Sequence, residues 1–223
     1  MTVSGGVRAA PYKLDVKTAT ILTLLAGLLG LPTLIFDFPS IGLSLVEIGW
    51  KIATVTVMIV AIRKLEHGPL TAETVGLTPV APKARNDRTA IALPAIIGLT
   101  LIAMFWAQIP GLKSLAAAGS ASSYEAGTIS GGLLLFELLG RYPMQVVAEE
   151  VFFRGYMQPR LTVAAPVLGG VLFALYHLQQ WQTIPSLIPL GIALGLLRWW
   201  LGSIWPGVAF HYLGNAMFIL SLR

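Results

Sequence analysis

Residues 128–156 read TISGGLLLFELLGRYPMQVVAEEVFFRGY. The stretch is apolar over most of its length and carries five charged residues: Glu137, Arg141, Glu149, Glu150 and Arg154. A helix needs about 20 apolar residues to cross a hydrocarbon core. This one is longer, so it reads as a span that is tilted, or broken near Arg141-Tyr-Pro143. An ionisable group at mid-bilayer costs about 2.5–3.5 kcal/mol, so a chain keeps one where it is paired or where it works. Glu137 and Arg141 are four apart, as are Glu150 and Arg154, and each pair falls on one helix face. Glu149 lies one position round from Glu150, so the two carboxylates point in different directions. One is held by Arg154 and the other is left free to act as a base.

The same pattern extends in both directions. Downstream, apolar helices fit residues 166–178, 184–201 and 204–220; upstream they fit 18–36, with Pro32 as a kink, then 43–62 and 90–109. The expected fold is all-α: a polytopic membrane helical bundle of seven transmembrane helices, or eight if the long segment is two. Residues 1–17 form a tail and 18–223 a single membrane-embedded domain. Composition agrees, since 56% of residues are hydrophobic and 11% charged, against roughly a quarter charged in soluble domains. No cysteine is present, which excludes disulfides, thiolate metal sites and a cysteine nucleophile. The first apolar run is longer than a signal-peptide core and no small-x-small cleavage site follows it, so it reads as an uncleaved span. The net charge of +5 sits in tails and loops, so nucleic acid is not the expected partner. Membrane lipid is.

Lys and Arg bias orients the bundle. Arg8, Lys13 and Lys17 precede the first span; Arg63, Lys64, Lys83, Arg85 and Arg88 lie between the second and third. The opposite loops are nearly uncharged, with only Lys113 and Glu125 in 110–126. The expectation is a cytoplasmic membrane of bacterial or archaeal type with the N-terminus in the cytoplasm. Trp199, Trp200 and Trp205 fit one aromatic belt and Trp106 the other. Gly127-x-x-x-Gly131 and Gly191-x-x-x-Gly195 allow close helix packing. Glu47 and Lys51 are four apart in the second span and are read as neutralising one another. Glu137 with Arg141 repeats that pattern. His67 falls in a loop and is read as inert.

The remaining polar residues gather near one depth. His177 ends the fifth span in FALYH; His211 and Asn215 are four apart in the seventh, in HYLGN. At about 1.5 Å rise per residue, Glu149 lies roughly 16 Å from Arg160, His177 roughly 16 Å from Pro166, and His211 roughly 12 Å from Ser203. Helices that alternate in direction thus bring Glu149, His177 and His211 to a similar level. A carboxylate beside an imidazole can activate water for attack on a carbonyl. An imidazole with an amide one turn away can hydrogen-bond a developing oxyanion. Alternatively, Glu149, His177 and His211 could hold a zinc ion with an open position.

Glu149-Glu150-x-x-x-Arg154, Phe173-x-x-x-His177 and His211-x-x-x-Asn215 resemble, in order, the three motifs of the CPBP intramembrane proteases, the Abi/CAAX group that includes the type II CAAX prenyl endopeptidases. The resemblance covers about residues 128–220, and the stretch Val75-Gly-Leu-Thr-Pro79 resembles a cytoplasmic loop of that family. It implies an intramembrane endopeptidase acting on a membrane-associated protein or peptide, in CAAX-type processing or in bacteriocin maturation or immunity. Glu149 is then the base that activates water, assisted by His177. His211 with Asn215 is the oxyanion site, Glu150 a second acid, and Arg154 orients the pair. The family is described as metalloprotease, yet that mechanism requires no metal, so a divalent cofactor such as zinc, or none, both fit. Other readings of the same buried Glu and His are a proton- or metal-coupled transporter and a catalytically silent scaffold or immunity protein. No HExxH motif and no paired intramembrane aspartates are present.

Overall fold

The computed structural model describes residues 13–35, 41–66, 71–73, 75–77, 86–108, 130–161 and 164–220. Among these the fold is all-α, with one isolated bridge between Leu14 and Leu161. Seven helical rods follow in chain order. They are α1 (Val16–Leu28), α2 (Ile41–Ala61), α3 (Asn86–Gln108), α4 (131–160), α5 (Ala165–Tyr176), α6 (Ile184–Leu201) and α7 (Trp205–Leu220). Four stretches, Val16–Thr33, Gly42–Leu65, Arg88–Phe105 and Ile184–Leu201, are long and apolar enough to cross a membrane. Because α4 carries the charged residues of the long segment, and α5 and α7 have 12 and 16 residues, these three fall outside that length-and-polarity class. The chain is a helical bundle of integral-membrane type. Large apolar side chains such as Ile91, Leu101, Phe105 and Leu139 face outward, as lipid contact requires.

Local chemistry sets the breaks. The Asp15 carboxylate accepts from Thr18 N at 2.6 Å and caps α1; that bond lowers its pKa below the usual carboxylate range. α1 stops before Pro32, and a 3-10 turn, Leu31–Ile35, follows. The long segment does not break at Pro143 and stays one helix through residues 131–160. α4 instead widens into a π-turn over Glu137–Arg141, where Tyr142 N–H bonds Glu137 O five residues back. Proline lacks an amide and clashes with the carbonyl four residues before it; the wider turn accommodates that. A second π segment covers Val151–Met157.

α5 and α6 approach until backbone meets backbone. A Cβ on Gly170 would fall 2.5 Å from Ile192 N, and one on Gly195 2.9 Å from Pro166. The Gly191–Gly195 spacing is thus used for close packing, while Gly127 lies outside the described residues. So do His67, Lys113, Glu125, Pro79 and the Trp106 side chain. α5 ends at Tyr176, with His177 as its C-cap at φ −101°, ψ 29°, two residues earlier than the apolar run suggests. Between α1, α2, α4 and α5 lies a core of Trp50, Phe152, Phe153, Tyr156, Phe173 and Tyr176.

Three contacts fix which ends share a face. Leu14 N bonds Arg160 O at 2.9 Å. A Cβ on Gly155 would lie 2.0 Å from Val75 O. Arg88 Nη1 donates to Trp199 O at 2.8 Å. The start of α1, the 75–77 segment, the start of α3 and the ends of α4 and α6 therefore lie together.

Candidate active site

α4 delivers two adjacent carboxylates into this core, and both are 0% exposed. Their different directions follow from helix geometry, and each has its own cation. Arg154 Nη1 lies 3.3 Å from Glu150 Oε1, and its Nη2 donates to Gly191 O of α6 at 3.1 Å. Glu150 sits against α7 at Gly207, where a Cβ would come within 2.9 Å of Glu150 Oε2. The pairing of Glu150 with Arg154 is the one the spacing implies.

The two imidazoles arrive from α5 and α7. His177 Nδ1 lies 2.9 Å from Phe173 O. A carbonyl only accepts, so Nδ1 carries a proton. Four-residue spacing is what brings the C-cap imidazole back onto a carbonyl of the last turn. Nε2 then faces Glu149 Oε1 at 3.6 Å. His211 bridges the carboxylates: Nδ1 is 3.1 Å from Glu150 Oε1 and Nε2 is 3.7 Å from Glu149 Oε2. The Phe173 ring stands edge-on to both imidazoles, at 4.8 and 5.7 Å between centroids, and stacks near Arg154 at 4.4 Å. Five of the six candidate residues, Glu149, Glu150, Arg154, His177 and His211, thus form one contiguous buried cluster. Asn215 is half-buried one turn beyond His211 and has no hydrogen bond to the described residues.

A correction concerns α2. Glu47 and Lys51 do not neutralise one another. Lys51 Nζ lies 2.6 Å from Glu149 Oε1, and Glu47 pairs with Arg141 of α4. Arg141 also pairs with Glu137, as its spacing implies, and Glu137 accepts from Ser44. Gln145 completes the row, accepting from Arg141 at 3.0 Å and donating to Glu149 Oε1 at 3.3 Å. Four-residue spacing on one helix shows a pair that can form, and a facing helix that presents opposite charges takes the partners instead. Ser44, Glu47, Lys51 and Thr54 on α2 thus line up with Glu137, Arg141, Gln145 and Glu149 on α4 as a buried polar seam. The steps of three and four along α2, and of four along α4, were the legible sign of it.

Glu149 is consequently asymmetric. Oε1 is crowded by Lys51, Gln145 and His177, whereas Oε2 is buried with no hydrogen-bond partner among the described residues. The arrangement does not fit a divalent ion. No three His, Asp or Glu side chains among the described residues are placed to hold one, and the Lys51 ammonium occupies the Glu149 oxygen nearest His177. A second cation there would meet like-charge repulsion.

Residues 131–217, which carry every member of this cluster except Lys51 and its α2 neighbours, match the family model described as "Type II CAAX prenyl endopeptidase Rce1-like". No curated protein and no solved structure matches the chain.

Proposed function

Through residues 131–217 the chain belongs to the Rce1-like family of type II CAAX prenyl endopeptidases, and from that premise we propose that it is an intramembrane endopeptidase whose base is Glu149. The observation that carries the reading is the buried Oε2 of Glu149, free of hydrogen bonds among the described residues and facing an imidazole. A water held between that carboxylate and the Nε2 lone pair of His177 donates to both. As its oxygen attacks the scissile carbonyl carbon, Glu149 takes the proton. The carbonyl π bond opens to an oxyanion. Collapse re-forms the carbonyl and breaks the C–N bond, and the proton on Glu149 passes to the leaving nitrogen. The products are a carboxylic acid and an amine.

The doubly protonated form of His211 donates Nδ1–H to Glu150 and keeps Nε2–H for the oxyanion, with the amide of Asn215 as the second donor. Arg154 holds Glu150, and Glu150 in turn orients His211. The substrate is a membrane-associated protein or peptide, with a prenylated C-terminal tetrapeptide as the class the family name points to. The chain acts within a cytoplasmic membrane with its N-terminus inside the cell.

The test is cleavage of a membrane-anchored peptide by the reconstituted full chain, read by mass spectrometry. Glu149→Gln, which keeps shape and hydrogen bonding but cannot take a proton, is expected to lower kcat by about 10²–10⁴. Unchanged cleavage by that variant removes the reading.

A further inference from the structure

Lys51 stands outside the matched residues, on a different helix, and yet makes the shortest contact in the cluster, 2.6 Å to Glu149 Oε1. It is 1% exposed. An ammonium has three N–H donors, and three partners surround this one. They are Glu149, the Tyr176 hydroxyl at 3.2 Å, and the Trp50 ring, whose centroid is 3.4 Å away. None is left to receive a substrate carboxylate, and a buried, fully bonded ammonium is no nucleophile.

The partners are themselves pinned. Trp50 Nε1 donates to Ala26 O of α1 at 2.7 Å. Trp50 stacks on Tyr176 at 4.6 Å between centroids, and Tyr176 OH lies 2.8 Å from Thr54 Oγ1. Tyr176 is also the residue before His177. The lysine therefore meets the carboxylate on one side and the end of the helix carrying the imidazole on the other.

We infer that Lys51 is a positioning residue for the proposed hydrolysis, holding Glu149 as an oriented carboxylate by engaging Oε1 so that Oε2 alone is presented to water. Gln145 reinforces the same oxygen from the preceding turn of α4. With the ammonium gone, the carboxyl would sit against His177 and His211 with neither oxygen fixed, and Oε1 and Oε2 would exchange places by rotation. The inference rests on the hydrolase reading for its kinetic consequence, while the state of Glu149 can be read without it.

Two measurements on the reconstituted full chain separate these. In the first, peptide cleavage by Lys51→Met is expected to show kcat lowered by about 10–100-fold with KM within twofold. Lys51→Arg recovers part of the loss, and methylammonium restores Lys51→Ala in a saturable way. A filler of the core predicts the reverse, a lowered unfolding midpoint with kcat intact in the folded fraction. In the second, a hydrophobic carbodiimide, which modifies protonated carboxyls, is applied and Glu149 is followed by peptide mass spectrometry. Wild type and Lys51→Arg stay unmodified at Glu149, and Lys51→Met gains the adduct. Equal labelling of wild type and Lys51→Met overturns the inference whether or not the protein cleaves peptide. Labelling that changes as expected in a protein with no cleavage removes the hydrolase reading and leaves the pairing of Lys51 with Glu149 standing. Should Lys51→Met fail to fold, Lys51→Arg carries the test: a full wild-type kcat together with an adduct on Glu149 overturns the inference.

Discussion

Arg141 is the residue on which most of the seam's charge balance turns. It is buried beside two carboxylates, Glu47 and Glu137, and no other cation is paired with either among the described residues. Removing one member of a buried ion group leaves uncompensated charge and costs about 3–5 kcal/mol. Arg141→Leu is thus expected to lower the thermal midpoint in detergent by an amount of that order. Replacing both acids as well, with Glu47→Met and Glu137→Met, is expected to recover most of the loss, since an apolar replacement of a whole buried set is often close to neutral. A midpoint that Arg141→Leu leaves untouched contradicts this account. Lys51 differs in kind: its partner is the proposed base, so its loss is expected in rate first.

At the level of helices, the site depends on how closely α5 and α6 can meet. Gly170 and Gly191 make that contact, and Gly191 O also accepts from Arg154. Gly170→Ala forces backbone apart at 2.5 Å, which shifts both His177 at the end of α5 and the acceptor of Arg154. The expected cost is about 1–3 kcal/mol together with reduced cleavage. Gly98→Ala in α3, where nothing lies within 4 Å of the new Cβ, is expected to be neutral or stabilising by up to about 1 kcal/mol. Equal unfolding midpoints for the two variants would contradict the packing argument. Much of this arrangement was legible in the sequence. Glu149, Glu150, Arg154, His177 and His211 stand out because each is ionisable in an otherwise apolar helix, and alternation of helix direction brings them level. Lys51 stands out for the same reason, but its spacing from Glu47 offered a partner on its own helix. Which acid wins is decided by the packing of α2 on α4, and one helix's periodicity does not contain that. The π-turn at Glu137–Arg141 was illegible for a related cause, because Pro143 announces only that an amide is missing and the surroundings decide between a break and a widening.

For the molecule as a whole, the shared-face contacts of Leu14 with Arg160, Val75 with Gly155 and Arg88 with Trp199 agree with alternating crossings from α1 to α6. They place Lys17, Arg88, Arg160 and Arg198 toward one face, which is the cytoplasmic one in the proposed orientation. Because the chain has no cysteine, every introduced one is a unique reporter. Lys17→Cys and Thr71→Cys are expected to react with an impermeant maleimide only when the cytoplasmic side is opened, and Ser130→Cys from the other side in intact cells. Labelling of Ser130→Cys and Lys17→Cys from the same side would break the proposed topology.

The π-turn in α4 has a genetic corollary. An ideal α-helix turns by about 100° per residue, so positions 137 and 149 would drift apart by about 120° around a regular rod, and the wider turn absorbs part of that drift. A single substitution of Pro143, which lies outside all three motifs, would remove the cause of the wider turn, let the segment relax to ordinary α-helix at unchanged length, and swing its two halves toward that offset. Glu137 and Glu149 could then no longer both address α2. A lineage could in this way fall catalytically silent while every acidic and imidazole side chain of the site is still encoded, so an intact set of motifs is a necessary mark of the working enzyme and not a sufficient one.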